Sequence, residues 1–294
     1  MNKKRPVKDT AQKLVMDQLE NGDTERLEPK TVQSKIRFLS LIILGFSSFL
    51  AGCTLSILAP FYSKEAADHG ISVTASGAVF AAVFVLQIIF TPLFGKFLKS
   101  IGSTRLFIIG VLTSGASNIM FGFLPVINDG SLFLGASIAV RSITALGEAA
   151  MNTAVYPLAR RRCSQESEAS TMSMLETMIG CGTTIGPFVG GLLYEYGGFC
   201  LPFAICGTLL ILAGGLAWKV LDPKEEEEQI DREVGDDQIP PSQKSSYRVL
   251  LKNPAIIVAC LVTIATGMST QWYQPSLEPY VRDQFGMSSF QVRT

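Results

Sequence analysis

Several features that define other classes of protein are scarce or absent in this sequence. The 294 residues include one histidine, and the six cysteines form no Cys-x-x-Cys pair and no Cys/His spacing typical of a metal site. The formal net charge is zero, so the chain has no general attraction to nucleic acid. No nucleophile–base pair or phosphate-binding loop is recognisable. We therefore expect no metal, no cofactor, no nucleic-acid partner and no enzymatic activity.

Charge is also missing from long stretches of the chain, although 17% of the residues are charged. The charged residues gather in residues 1–37, in short clusters, and in a segment near 222–252. The apolar stretches between them are about twenty residues long, enough for a helix to span a hydrocarbon core of about 30 Å. This pattern predicts an all-α integral membrane protein.

The apolar stretches predict seven membrane-spanning helices. We place them at residues 36–61, 73–95, 104–125, 131–158, 169–194, 199–221 and 254–275. Residues 1–35 are polar and lack the apolar core of a signal peptide, which favours a flexible cytosolic tail. Residues 36–221 are expected to form a six-helix bundle. The acidic residues 222–252 have too little apolar surface to fold alone and favour a cytosolic linker, and 253–294 would hold helix 7 and begin a second half.

A repeat within the six-helix segment predicts its internal symmetry. The ends of helices 2 and 5 share residues at equal offsets: Pro92, Gly95, Leu98 and Gly102 in one copy, Pro187, Gly190, Leu193 and Gly197 in the other. The copies are about 95 residues apart with two further apolar stretches between them. Between the end of helix 2 and the end of helix 5 the chain crosses the membrane an odd number of times, through helices 3, 4 and 5. The two copies therefore lie on opposite sides of the membrane, which is typical of an inverted 3+3 repeat. A weaker echo of residues 58–61 at 277–280 suggests that helix 7 repeats helix 1.

Lysine and arginine predict the orientation of the helices. The N-terminal tail holds eight lysine and arginine residues before residue 36. The connections after helices 2 and 4 hold further clusters, and the cluster after helix 4 is Arg160, Arg161 and Arg162. The alternate connections hold only Lys64. Because positive residues concentrate on the cytoplasmic side, we expect a cytosolic N-terminus and a cytosolic linker.

Helix 5 carries a glycine-rich motif that bears on packing and on identity. Its sequence from Gly182 to Gly191 places small residues four apart around Pro187, which suits close helix approach and a bend. The motif resembles the G-x3-G-P-x2-G-G antiporter signature of the major facilitator superfamily. The residues of this chain that match the signature are Gly182, Gly186, Pro187, Gly190 and Gly191. The resemblance implies the major facilitator fold and exchange of a substrate against protons.

Two further segments resemble superfamily motifs with departures. The connection from Gly95 to Arg105 keeps the motif glycines Gly95 and Gly102, but Lys99 stands where the motif has aspartate. Helix 4 contains Arg141, the arginine of the R-x2-Q-G-x-G motif, but has Thr144 and Ala145 in place of the Gln and the first Gly of that motif. An arginine inside a membrane span costs about 2.5 kcal/mol or more and requires a partner or water. Arg141 is therefore a candidate functional residue, and the alternative is a structural charge held by backbone carbonyls.

Two carboxylates inside the predicted spans are candidates for substrate and proton binding. Glu148 follows Arg141 by nearly two helical turns on the same face, and Glu176 lies about seven residues into helix 5. Helix rise places both at similar depth in the inner half of the membrane, where a cation or a proton could bind them. The alternative is local pairing with the arginines at the end of helix 4. His69, beyond helix 1, is expected to be a solvated loop residue.

Within the superfamily, residues 36–290 most resemble vesicular amine and polyamine carriers. Supporting segments are 56–62, 175–177 and 186–197. Monoamine carriers have an aspartate nine residues before the helix 1 proline, whereas this chain has Ala51, so the polyamine-like branch is favoured. The resemblance implies proton-coupled exchange of a small organic cation by alternating access, in a vesicle, another endomembrane or the plasma membrane. The alternative is a truncated, non-transporting membrane protein that folds alone or binds another carrier chain.

Overall fold

The computed structural model describes residues 7–221 and 254–271. These residues form seven α-helices, and the predicted all-α fold is confirmed for this part of the chain. They are α1 (Val7–Asp68), α2 (Val73–Ile101), α3 (Ser103–Gly122), α4 (Gly130–Arg162), α5 (Glu168–Gly197), α6 (Cys200–Val220) and α7 (Pro254–Gln271). Single 3-10 turns at Leu124–Val126 and Gln165–Ser167 join α3 to α4 and α4 to α5.

Five of these helices are long and apolar enough to cross a membrane. They are the Lys35–Asp68 part of α1, with α2, α3, α4 and α6. The 30-residue α5 is not among them, because its glycines and threonines make it less apolar. It packs along α1, as a spanning helix of the bundle would. The chain is thus a multi-pass helical membrane protein.

The turns between helices use residues suited to them. Gly102 ends α2 with φ 85°, and Gly198 ends α5 with φ 63°; both are backbone conformations that favour glycine. Ser72 caps α2 by accepting a hydrogen bond from the amide of Ala75, and Asp129 caps α4 by accepting from Leu132. These short connections make successive helices antiparallel. We call the end where α1 stops and α2 starts the outer end, and the opposite one the inner end.

The packing of the six helices confirms the 3+3 repeat. Exchanging α1 with α4, α2 with α5 and α3 with α6 converts the α1–α5 contact into the α4–α2 contact, and the α1–α6 contact into the α4–α3 contact. The lesser contacts of α1 with α2 and of α2 with α3 likewise map onto α4 with α5 and α5 with α6. The α3–α6 contact maps onto itself. Each packed pair therefore has its counterpart, as an internal two-fold relation requires.

Three helix boundaries differ from the prediction by more than five residues, and one of them is the end of the first helix, which lies at Asp68 rather than at residue 61. The first helix begins at Val7 rather than at residue 36, because elongating an existing helix adds a hydrogen bond for each residue ordered without a new nucleation cost. The second helix continues through Pro92 and Gly95 to Ile101 rather than ending at residue 95, and it stops at Gly102, whose φ is positive. The connection predicted from Gly95 to Arg105 is therefore mostly helix. The linker 222–252 and the echo at 277–280 lie outside the described residues.

The buried core divides into two clusters along the bundle. The inner cluster is mostly aliphatic and includes residues such as Leu44, Val155 and Leu158. The outer cluster is aromatic, with Tyr62, Phe121, Phe133, Phe199 and Phe203 buried together. Helix α4, which carries the candidate residues Arg141 and Glu148, contributes side chains to both clusters.

Candidate functional site

Helix α4 buries a positive and a negative side chain on one face, as its spacing predicts. Arg141 is 0% exposed and Glu148 is 5% exposed. The guanidinium of Arg141 lies 5.5 Å from the centre of the Phe121 ring of α3, close enough for a cation–π contact. Two opposite charges enclosed in one bundle offset part of each other's desolvation cost.

Glu148 accepts a hydrogen bond from a neutral side chain on one carboxylate oxygen, and its other oxygen has no hydrogen-bond partner among the described residues. The Gln87 Nε2 of α2 donates to Glu148 Oε2 at 2.7 Å. Glu148 Oε1 has no hydrogen-bond partner among the described residues, and neither do the three guanidinium nitrogens of Arg141. Buried polar atoms normally have partners, so a cluster of open ones marks a place where a further polar group can bind. The geometry leaves a carboxylate oxygen available to a cation or a proton.

Buried polar side chains also line the contact between α3 and α4. Thr144, on the same face of α4 as Arg141, donates from its hydroxyl to Ser117 Oγ of α3 at 3.0 Å. Asn118, the next residue of α3, donates to the carbonyl oxygen of Ser114, one turn earlier in the helix, at 2.7 Å. These side chains are buried, and Asn118 Oδ1 has no hydrogen-bond partner among the described residues. Thr144 thus places a polar group one helical turn from Arg141.

Glu176 occupies a different environment from Glu148. It is exposed on α5, and its Oε1 accepts a hydrogen bond from the hydroxyl of Tyr156 on α4. At the inner end of α4, Arg160 pairs with Glu168 at 2.9 Å rather than with either candidate carboxylate. Both carboxylates are thus tied to α4, Glu148 by its backbone and Glu176 through Tyr156. One is enclosed, and the other lies on the surface of the six-helix bundle.

The helix 5 motif forms a close contact with α1. Gly182, Gly186 and Gly190 are buried, and all three face α1. A Cβ at Gly186 would lie 2.9 Å from the Cα of Cys53, so only glycine allows this approach. Pro187 lies inside the helix. Gly191 is half-buried.

The two motif glycines near the end of α2 have separate roles. Gly102 adopts a positive φ in the turn to α3, where its amide donates to the carbonyl oxygen of Leu98. Gly95 lies within α2, is exposed, and would have no atom within 4 Å of an added Cβ. The prediction that Gly95 forms a turn is therefore wrong, because the helix continues past it.

The sequence prediction missed three contacts. Gln87 and Tyr156 are the donors to the two carboxylates. A polar amide inside the apolar stretch of α2 is a signal that could have pointed to Gln87, since a membrane span rarely keeps a polar group without a partner. His69 is half-buried, not solvated, and contacts the α3–α4 connection.

Comparison with known proteins agrees with these features. The family model of the Major Facilitator Superfamily matches residues 44–292. MFS-type transporter SLC18B1 of Rattus norvegicus is 30% identical over 250 residues, which cover 84% of this chain and 52% of that protein. Its counterpart from Homo sapiens is 28% identical over 232 residues, covering 79% of this chain and 48% of that protein.

The comparison extends to another group of carriers. The vesicular acetylcholine transporter of Mus musculus is 30% identical over 198 residues, which cover 67% of this chain and 35% of that protein. The chain spans about half the length of the SLC18B1 transporters that it matches. The family match covers far more than half of the chain and includes all of the site residues described above. The chain therefore belongs to the major facilitator superfamily, a family of membrane transporters, and is similar to its vesicular amine transporter-like branch.

Proposed function

We propose that this chain takes part in proton-coupled exchange of a small organic cation, an amine or a polyamine, by alternating access. The observation that carries the proposal is the open oxygen of Glu148, a carboxylate enclosed in the bundle and held by Gln87 on its other oxygen. A buried carboxylate is costly unless a cation or a proton binds it. One carboxylate that accepts either ligand can couple their movements, because the two compete for the same oxygen.

Glu176 would supply a second point of attachment for the cation. It is exposed on the six-helix bundle and keeps one oxygen that Tyr156 does not engage. In facilitator-type carriers the substrate binds between two halves that rock about a midplane site. We infer that the exposed surface around Glu176 faces that cavity, and that Glu148 lies behind it within the first half. Two carboxylates suit a substrate with more than one ammonium group, as in the polyamines.

The relatives support the substrate class without establishing it. Vesicular acetylcholine transporters are named for an organic cation, and SLC18B1 proteins are MFS-type transporters. The α5 motif supports the exchange mechanism, because glycine contacts with α1 can serve as a pivot between packed helices. The proposed location is a vesicle membrane, with the N-terminus in the cytosol. Tags at the N-terminus and in residues 222–252 should both be accessible from the cytosolic side of sealed vesicles, and protection of either would contradict this orientation.

Uptake into proteoliposomes tests the proposed function. The purified chain is reconstituted, and uptake of radiolabelled spermidine is measured with and without an inside-acidic pH gradient. We expect gradient-dependent uptake that Glu148→Gln and Glu176→Gln each reduce about tenfold or more, because each loses an ionic contact with the ammonium groups. Glu195→Gln is the matched control, since it removes an exposed carboxylate near the other end of α5. Uptake that is insensitive to both substitutions would contradict the proposal, and uptake that equals empty liposomes would favour the alternative of a membrane protein that does not transport by itself.

A further inference from the structure

The single histidine of the chain joins two connections at the outer end of the bundle. His69 lies in the turn between α1 and α2, and its ring stacks on Phe133 of α4 with ring centres 4.2 Å apart. The backbone fits closely here, because the carbonyl oxygen of His69 lies where a Cβ on Gly130 would be. In the repeat, α1 and α4 are equivalent helices, so this contact ties the outer ends of an equivalent pair.

Both ring nitrogens of His69 face backbone carbonyl oxygens. Nδ1 is 2.8 Å from the oxygen of Glu65 on α1, and Nε2 is 3.0 Å from the oxygen of Ile127, which precedes α4. A carbonyl oxygen only accepts hydrogen bonds, and a neutral imidazole has one N–H and one lone pair. Only the doubly protonated ring can donate to both oxygens. In the neutral ring, one nitrogen lone pair would point at a carbonyl oxygen.

The charged groups around the ring come from both connections. On α1 they are Glu65, whose Oε1 lies 3.8 Å from Nδ1, with Lys64 and Asp68 in the same turn. On the other side, Asp129 is next to Gly130 and caps α4. The side chain of α4 that packs on the ring, Phe133, is uncharged. The Glu65 carboxylate oxygen within 4 Å of the ring suits a cationic ring.

We propose that His69 is a proton-binding site that links the α1–α2 turn to the α3–α4 connection. With the proton bound, two hydrogen bonds hold the two connections together. Loss of the proton removes one N–H and breaks one of the two bonds, which loosens the outer end between α1 and α4. Histidine is the side chain whose charge ordinarily changes between about pH 5 and 8, so the link responds to acidity on this side of the membrane. The inference does not depend on the identity of a transported substrate.

Nitrogen NMR of the full chain tests the protonation state directly. The chain is labelled with 15N-histidine and reconstituted in lipid nanodiscs, where its one histidine gives one pair of ring-nitrogen signals. At pH 5.5 we expect both nitrogens to carry a proton and to show hydrogen-bonded shifts. At pH 8 one of them should have lost its proton. A ring with only one protonated nitrogen at pH 5.5 would overturn the proposal.

Hydrogen exchange tests whether the proton ties the connections. Protection of residues 124–132, corrected for intrinsic exchange rates, should fall about tenfold in the wild type between pH 5.5 and 8, from the loss of one charge-assisted hydrogen bond. His69→Gln, which keeps one donor and one acceptor, should show the lower protection at both pH values. The turn around Gly198, also at the outer end, is the internal control and should not change. Equal protection of residues 124–132 at both pH values in the wild type would refute the link.

Discussion

The α1–α5 and α2–α4 interfaces are equivalent in the repeat but differ in what they hold. Gly182 stands five residues before Pro187 in α5, and Gln87 stands five residues before Pro92 in α2. At the first position the backbones meet, since a Cβ on Gly182 would lie 3.0 Å from the amide nitrogen of Cys53. At the second, the Gln87 side chain reaches across and donates to Glu148.

The difference shows how one packing geometry serves two purposes. Without a side chain, α5 lies close to α1, and the interface is held by dispersion over a large contact. With a long polar side chain at the same place, α2 leaves room for a carboxylate and binds it. The first interface is therefore expected to respond to added volume, and the second to lost hydrogen bonds. Four substitution experiments sharpen this contrast.

The largest effect is expected where the backbones are closest. Gly182→Leu inserts a side chain against the backbone of α1, which cannot move aside without separating the helices. We expect a loss of about 3 kcal/mol or more in unfolding free energy. Gly180→Leu is the matched control, because an added Cβ there would meet no atom within 4 Å. Unfolding in detergent by increasing denaturant measures both, and equal stability of the two variants would contradict the close contact.

The α2–α4 interface should respond to loss of its donor. Gln87→Leu keeps much of the volume but leaves Glu148 Oε2 without its hydrogen bond, at a cost of about 1.5–3 kcal/mol. The same substitution in a Glu148→Leu background should cost much less, because no buried acceptor remains to be satisfied. A double-mutant cycle on unfolding free energies measures the coupling. Additive effects would show that the two side chains do not interact.

The contact at Glu176 should be weaker, because that carboxylate is exposed. Tyr156→Phe removes the hydroxyl that donates to Glu176 Oε1 and leaves the ring in place. We expect a loss of about 0.5–1 kcal/mol in unfolding free energy, and little further loss on adding Glu176→Gln. Tyr194→Phe provides a control, since its ring stacks on Phe61 away from this pair. A loss as large as that of Gln87→Leu would place Glu176 in a more enclosed setting than the structure describes.

The smallest effect concerns a second equivalent pair, Gly95 and Gly190, each three residues after the repeat proline. Gly95→Ala should raise the unfolding free energy by about 0.5–1 kcal/mol, because alanine favours helix and meets no neighbour. Gly190→Ala should lose that gain, since its Cβ would lie 3.0 Å from Ile57 Cγ1. Thermal unfolding of the two variants side by side measures the difference. A stabilising Gly190→Ala would show that the α1–α5 contact yields easily.

The relative placement of candidate site residues could be predicted from the sequence only where they share one helix. The shared face of Arg141 and Glu148 follows from their spacing along α4, and both are buried. The partners could not be predicted in the same way, because Gln87 and Glu148 are 61 residues apart in the sequence. His69 and Ile127 are 58 residues apart. Whether such residues meet depends on how helices are rotated and spaced, which local composition does not specify.

Local properties of the sequence are enough to predict the membrane helices, most of their turns and the inverted repeat. Apolar length, helix-breaking glycines such as Gly102 and the repeated Pro-x-x-Gly motif are local properties, and local backbone energetics decide them. Two other features follow only from the packing of the helices. Gly182 packs on the backbone of α1, whereas its counterpart Gln87 binds Glu148. His69 lies between two carbonyl oxygens. These outcomes depend on distances of a few ångströms between separate helices, which arise only when all of the helices pack together.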